Sequence, residues 1–217
     1  MVKKILKAIL AIILVLACAA GAFFGVKYYF DQGQTPEPVY EARSDLDNEQ
    51  VTEDQIQVYI VEPDRPRYLS IPKLGITNAR VMELGTVGAD NRLDDPKNVN
   101  DAGWYRDSAK PGQATPQRPA GLYDGHNTGT SQKGIFYALG NLLTGDIITI
   151  ERGDGKKFNY VVNEVSAVRL EDVDMSIMMQ SITPGEEGLN IITCGGEWSK
   201  DNQTYTHRIV VRATLAS

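Results

Sequence analysis

The chain has 217 residues, 42% hydrophobic and 23% charged, with a formal net charge of −6. No block of Lys and Arg follows the N-terminus, so the clustered basic footprint of a nucleic-acid binder is excluded. That length allows one domain with appendages, and the apolar residues divide into a lipid-like start and a soluble remainder.

The first element, residues 1–30, predicts a membrane anchor. Lys3, Lys4 and Lys7 precede an uncharged run from Ala8 to Val26, closed by Lys27. Such a run rises roughly 28 Å as a helix, close to the hydrocarbon thickness of a bilayer. Tyr28 and Tyr29 suit the interface, and the lysine asymmetry puts the N-terminus in the cytoplasm and the rest outside. Two processed forms are alternatives: cleavage near Ala17-Cys18-Ala19-Ala20, or lipidation of Cys18 in the lipoprotein-like Val15-Leu16-Ala17-Cys18.

Residues 31–65 read as an acidic tether carrying Pro36 and Pro38, too poor in apolar surface to offset ordering. A short helix is compatible with 48–61. From Arg67 onward the pattern is that of short strands. Tyr68–Ile71 and Ala79–Met82 come first. Ile147–Ile150 and Phe158–Val162 flank Gly153-Asp154-Gly155, a hairpin signal. Val165–Leu170, Leu189–Thr193 and His207–Leu215 complete seven candidates, with helical turns expected at Phe136–Leu143 and Met175–Met179. The fold class is mainly β, a sandwich or barrel formed by residues 66–217.

Chemistry concentrates in three places. With Cys18 in the membrane segment, Cys194 is left as the one cysteine of the external domain. It is either a reactive thiol or a small buried hydrophobe. It follows the apolar Leu189–Thr193 and precedes Gly195-Gly196, which predicts a strand that ends at the thiol. A cysteine nucleophile needs a proton partner, and the chain offers His126 and His207. Arg208 is the third candidate, because a guanidinium favours thiolate and donates to an oxyanion. Strand alternation turns His207 and Arg208 to opposite faces, so both cannot serve one site.

Ile192-Thr193-Cys194, Arg208-Ile209-Val210-Val211 and Gly125-His126 together resemble the sortase family. Tyr68–Ile76, Gly103-Trp104-Tyr105 with Lys110-Pro111-Gly112, Phe136–Leu139 and Leu143-Thr144-Gly145-Asp146 extend the resemblance over residues 66–217. Among subclasses, Thr193–Gly196 and Gly103–Tyr105 are most similar to class F, with class E second. The resemblance implies a single closed eight-stranded sortase-type β-barrel with short helices, preceded by the transmembrane helix. It also implies a membrane-anchored cysteine transpeptidase. Cys194 would attack the Thr–Gly bond of a Leu-Pro-x-Thr-Gly-like sorting signal and hold the acyl protein as a thioester. His126 would serve as proton partner and Arg208 as clamp, with Thr193 supporting the oxyanion. The implied partners are proteins with a C-terminal sorting signal, and an amine such as a peptidoglycan precursor or a pilin lysine. No cofactor is implied, and Glu171, Asp172 and Asp174 read as a solvated loop rather than a metal site. Two other readings have sequence tests. An L,D-transpeptidase would carry His-Gly before its cysteine, where this chain has Ile192-Thr193. A tethered, non-catalytic β-domain binding wall or surface proteins would need an inert Cys194.

Overall fold

The structure, a computed structural model, describes residues 47, 49–87, 92–130 and 132–217. The anchor expected at 1–30, with Cys18, and the tether residues 31–46 lie outside the described residues. No helix among the described residues is long and apolar enough to cross a membrane.

Period-two burial builds the barrel. Ile148, Ile150 and Arg152 turn inward while Ile147, Thr149 and Glu151 are less buried, which is the alternation of a strand with one face on a core. Along the chain come β1 (Pro66–Ile71), β2 (Ile76–Leu84), β3 (Thr86–Val87), β4 (Arg92–Leu93), β5 (Ala102–Tyr105) and β6 (Ala120–Gly125). Then follow β7 (Ile147–Arg152), β8 (Lys157–Arg169), β9 (Gly188–Ser199) and β10 (Thr204–Leu215). Eight of them close in the order β1-β2-β5-β6-β9-β10-β8-β7, and β3 pairs with β4 in a separate two-stranded sheet. The expected eight-stranded barrel is observed.

Leu69, Trp104, Tyr123, Ile150, Ile191 and Val211 are fully or almost fully buried in the barrel interior. Each large apolar side chain buried in this way stabilises the fold by about 1.5–3 kcal/mol. Trp104 satisfies its one donor by bonding Ala109 O at 3.1 Å. The β7–β8 hairpin turns at Gly153–Gly155 as the sequence predicts, with Gly155 at φ +79°.

Three local expectations change. Phe158–Val162 and Val165–Leu170, expected as two strands, are one strand, β8, whose pairing with β10 shifts register between Arg212 and Ala213. The shift falls at Asn163, whose Oδ1 accepts from Thr214 Oγ1 and whose carbonyl accepts from Thr144 Oγ1. The turn expected at Phe136–Leu143 is a 3-10 helix only at Leu139–Asn141. Finally, β9 does not end at Cys194 but continues to Ser199. Gly195 and Gly196 extend the strand rather than stop it. A Cβ on Gly195 would stand 2.7 Å from Ile209 Cγ1, and one on Gly196 2.5 Å from His207 Nδ1. These glycines let β10 side chains cross over β9.

Two short helices flank the sheet. Thr52 and Gln55 form a capping box on α1 (Glu53–Gln57), each side chain bonding the other's backbone N–H. Asp174 caps α2 (Met175–Met178) by accepting from Ser176 N, and Glu171 pairs with Arg169 at 2.6 Å. The segment between α1 and β1 lies against the barrel. Tyr59 OH donates to Val81 O at 2.6 Å, Arg67 Nε to Tyr59 O at 2.7 Å, and Asp154 N to Pro63 O at 2.9 Å.

Candidate active site

The site follows from two ladders that share β9. β9 runs antiparallel to β10, and Cys194 stands directly opposite Arg208. On the other side β9 runs parallel to β6, with Leu122 opposite Asn190 and Asp124 opposite Ile192. Parallel strands advance together, so His126, two residues past Asp124, comes level with Cys194, two residues past Ile192. Tyr123, Ile191 and Ile209 belong to the interior core, so alternation turns Asp124, Cys194 and Arg208 to the outer face. His126 continues that row. Three residues far apart in sequence thus stand abreast across β6, β9 and β10.

His207 lies outside this row. It opposes Gly195 rather than Cys194, and its Nδ1 is 2.9 Å from Thr206 Oγ1. His126 follows directly on β6, the strand beside β9, whereas His207 pairs one residue past Cys194.

Each member of the row has its own setting. Cys194 is half-buried. The Arg208 guanidinium folds back along its own strand, with Nη1 donating to Tyr205 O at 3.1 Å and His207 O at 2.9 Å. Its Nη2 donates to Thr204 Oγ1 at 3.2 Å. The Nε–H and the second Nη2–H have no acceptor among the described residues and stand available to a ligand. His126 Nε2 is 2.6 Å from Pro96 O. A carbonyl oxygen only accepts, so Nε2 carries the proton and Nδ1 is left for exchange.

A family model for the sortase domain matches residues 69–216. The chain belongs to the sortase family. Sortases are cysteine transpeptidases. The fold is similar to that of sortase C-1 from Actinomyces oris, at 21% identity over 82% of this chain and 91% of that one, with a TM-score of 0.51. It is likewise similar to the pilus-related sortase C of Group B Streptococcus, at 18% identity over 82% and 77%, TM-score 0.50. Sortase C of Streptococcus pneumoniae matches at 19% identity over 82% and 81%, TM-score 0.50. At these identities the likeness is one of fold. No curated protein matches the sequence.

Around the row, this sortase has features that its sequence does not advertise. Thr193 is buried, and its hydroxyl donates to Gly125 O at 2.7 Å, lacing the end of β6 to β9. The oxyanion support expected of Thr193 would require that hydroxyl to leave Gly125. Leu122, Ile192 and Val210 form a second buried cluster with Met178, on the outer face beside the row. Val168, Val173 and Met179 pack at its margin. Their i±2 spacing from Asp124, Cys194 and Arg208 was the signal for this strip, but it is readable only once the strand order is known.

Asp124 stands one step back from His126. Its Oδ1 is closed off from solvent and has no hydrogen-bond partner among the described residues. Burial pushes its pKa well above the ordinary carboxylate range, and the nearby Asp95 and Asp94 push the same way. Gly103 faces it across the ladder, where a Cβ would stand 2.2 Å from Oδ1.

Proposed function

We propose that this sortase uses Cys194 as nucleophile, His126 as proton partner and Arg208 as electrostatic clamp on a Leu-Pro-x-Thr-Gly-like sorting signal. The observation that carries this reading is the register of the two ladders, with Arg208 opposite Cys194 and Asp124 opposite Ile192. The Cys194 thiol passes its proton to His126 Nδ1, the resulting thiolate attacks the threonine carbonyl carbon, and the oxyanion so formed is held by the uncommitted Arg208 donors. The C–N bond to glycine breaks, and the leaving amine takes its proton from His126. The acyl group remains on Cys194 as a thioester. An incoming amine gives its proton to His126, attacks the thioester and releases the thiolate. The margin of the buried Leu122, Ile192 and Val210 strip, where Val168, Val173 and Met179 are partly exposed, supplies an apolar wall for the leucine and proline of the signal. Thr193 serves through its lace to Gly125, which sets where His126 begins.

Supporting features extend the proposal to subclass and place. Thr193–Gly196 and Gly103–Tyr105 favour class F, with class E second. The apolar run at 8–26 and its lysine flank favour a single-pass protein with the enzyme domain outside the cell. An impermeant label on the tether should then react in intact cells, and reaction only after lysis would overturn that topology. The acceptor is a peptidoglycan-precursor amine or a pilin lysine, and offering both amines to the acyl-enzyme decides between wall anchoring and pilus assembly.

The purified protein with a Leu-Pro-x-Thr-Gly peptide and hydroxylamine should release a threonine hydroxamate. Cys194→Ala should abolish the product and His126→Ala nearly so, with His207→Ala close to wild type. Hydroxamate from Cys194→Ala would remove the nucleophile assignment. An essential His207 would show that the wrong face had been chosen.

A further inference from the structure

His126 lies one residue beyond the end of β6, so no ladder fixes it. Its ring is oriented, among the described residues, by the 2.6 Å bond from Nε2 to Pro96 O. The Pro96 carbonyl lies in the planar peptide unit it shares with Lys97, so what holds the chain from Lys97 onward sets its direction.

The residues from Lys97 onward are bound to a piece of chain that precedes the barrel. Asp47 N donates to Lys97 O at 2.9 Å, and Val99 N donates to Asp47 O at 3.0 Å, a short parallel bridge. Asn98, only 7% exposed, donates its amide to Asp47 Oδ2 at 2.8 Å and to Glu49 O at 3.0 Å. Asn100 Nδ2 donates to the same Glu49 carbonyl at 3.0 Å. Asp47 Oδ1 accepts from Glu49 N at 2.9 Å, which closes the turn. Those bonds hold the Asp47 carboxyl below its usual pKa, so it is an anion that accepts from both sides.

The same piece of chain reaches the segment that follows His126. Gln50 Nε2 donates to Gln132 Oε1 at 3.2 Å and lies 3.4 Å from Asn100 Oδ1. A third link, Ile135 N to Val99 O at 2.8 Å, ties the two loops to each other. Asp47, Glu49 and Gln50 therefore span the loop that follows His126's partner carbonyl and the loop after His126 itself.

We propose that Asp47, Asn98 and Gln50 are positioning residues for His126, so that the end of the tether is a working part of the active site. The strap fixes the Pro96 carbonyl, the carbonyl fixes the ring, and Nδ1 is thereby presented toward Cys194. This rests on the proposed role of His126 as proton partner. The strap touches no reacting atom, and it lies away from the apolar strip assigned to the signal.

The test uses the full-length protein. Asp47→Ala with Gln50→Ala removes the exposed side-chain links and leaves the buried Asn98 in place, so the fold should survive. A ring misplaced by about 1 Å can lower turnover by up to about 10²-fold. The double variant should lose about 10- to 100-fold in kcat with KM for the signal peptide nearly unchanged. Asp47→Asn, which keeps an acceptor for Glu49 N, should recover most of the loss. In nitrogen NMR of the histidine rings, the wild type should show a protected Nε2–H for His126. The double variant should lose that protection while the His207 signals stay where they were. Wild-type kcat together with an unchanged His126 signal overturns the inference while leaving His126 as proton partner. A loss in KM alone, with the ring signal intact, overturns it too. If His126→Ala is itself fully active, the underlying reading fails instead, whatever the strap does.

Discussion

The two residues assigned to work with Cys194 are held in different ways. Arg208 sits inside a ladder, paired with Cys194 on one side and Val168 on the other. Its backbone cannot move without breaking two strand pairings. His126 stands past the end of β6, held by a proline carbonyl, a laced Gly125 and loop contacts. Thr128 in the following loop reaches β10 through its 2.9 Å contact with Tyr205 OH. The residue assigned to hold charge is thus fixed by secondary structure. The residue assigned to move a proton is fixed by side chains and loops that can be tuned one at a time.

The largest effect should come from the ladder side. Arg208→Lys keeps the charge and the strand but loses the planar fork, since one ammonium cannot bond Thr204, Tyr205 and His207 and still face a ligand. Turnover should fall by about 10²–10³, the usual loss of an oxyanion donor, with the melting curve little changed. Near-normal turnover would reduce Arg208 to a strand residue and end the comparison.

A smaller effect is expected on the loop side. A Cβ on Gly134 would lie 2.3 Å from His126 O and 2.6 Å from His126 C, so backbone must yield. Gly134→Ala should shift His126 bodily and lower kcat by roughly 10-fold, short of the 10²-fold that a 1 Å displacement can cost. Steady-state kinetics beside a thermal melt separate this from unfolding. An unchanged kcat would mean that the histidine side tolerates displacement as the arginine side does not.

The smallest effect concerns stability rather than rate. Because the folded pKa of Asp124 is raised, the native state holds a proton that the unfolded chain gives up. Stability should therefore be lost as pH rises from the ordinary carboxylate range, near pH 4, through the raised folded value. Asp124→Asn should flatten that part of the pH–stability curve and raise the melting temperature at neutral pH. A wild type whose stability grows over the same window would contradict the neutral carboxyl. Because Asp124 is on β6, the result also tells whether the strand leading to His126 carries strain that the arginine side lacks.

Sequence alternation was enough for the inner strands of the barrel, whereas Cys194, His126 and Arg208 were singled out by residue type and by the resemblance to a known family. Ile148 and Ile150 announce their strand by themselves, and the opposition of His207 to Arg208 follows from period two. What lay beyond reach depended on strand order. The pairing of β6 with β9 joins segments some seventy residues apart, and no local pattern encodes it. Gly195-Gly196 misled in the same way. Read locally two glycines end a strand, whereas here they open space for Ile209 and His207 arriving from β10. The Pro96 carbonyl was invisible for a plainer reason, since it is a backbone atom and every residue type offers one. That Asp124 Oδ1 is closed off from solvent, with no hydrogen-bond partner among the described residues, is a fact of the tertiary fold.

The circular strand order has a consequence for how a peptide can be read. Eight strands joined in a ring leave no outermost strand in the closed part of the barrel, so a target cannot be captured there by becoming a ninth strand. Backbone pairing is blind to side chains at alternate positions and would admit many sequences. A peptide lying instead across the outside of the ring would meet side chains, such as those of Val168 and Met179 at the margin of the covered strip, and would have to match them one by one. The closure that holds the barrel together therefore also makes recognition a matter of residue identity.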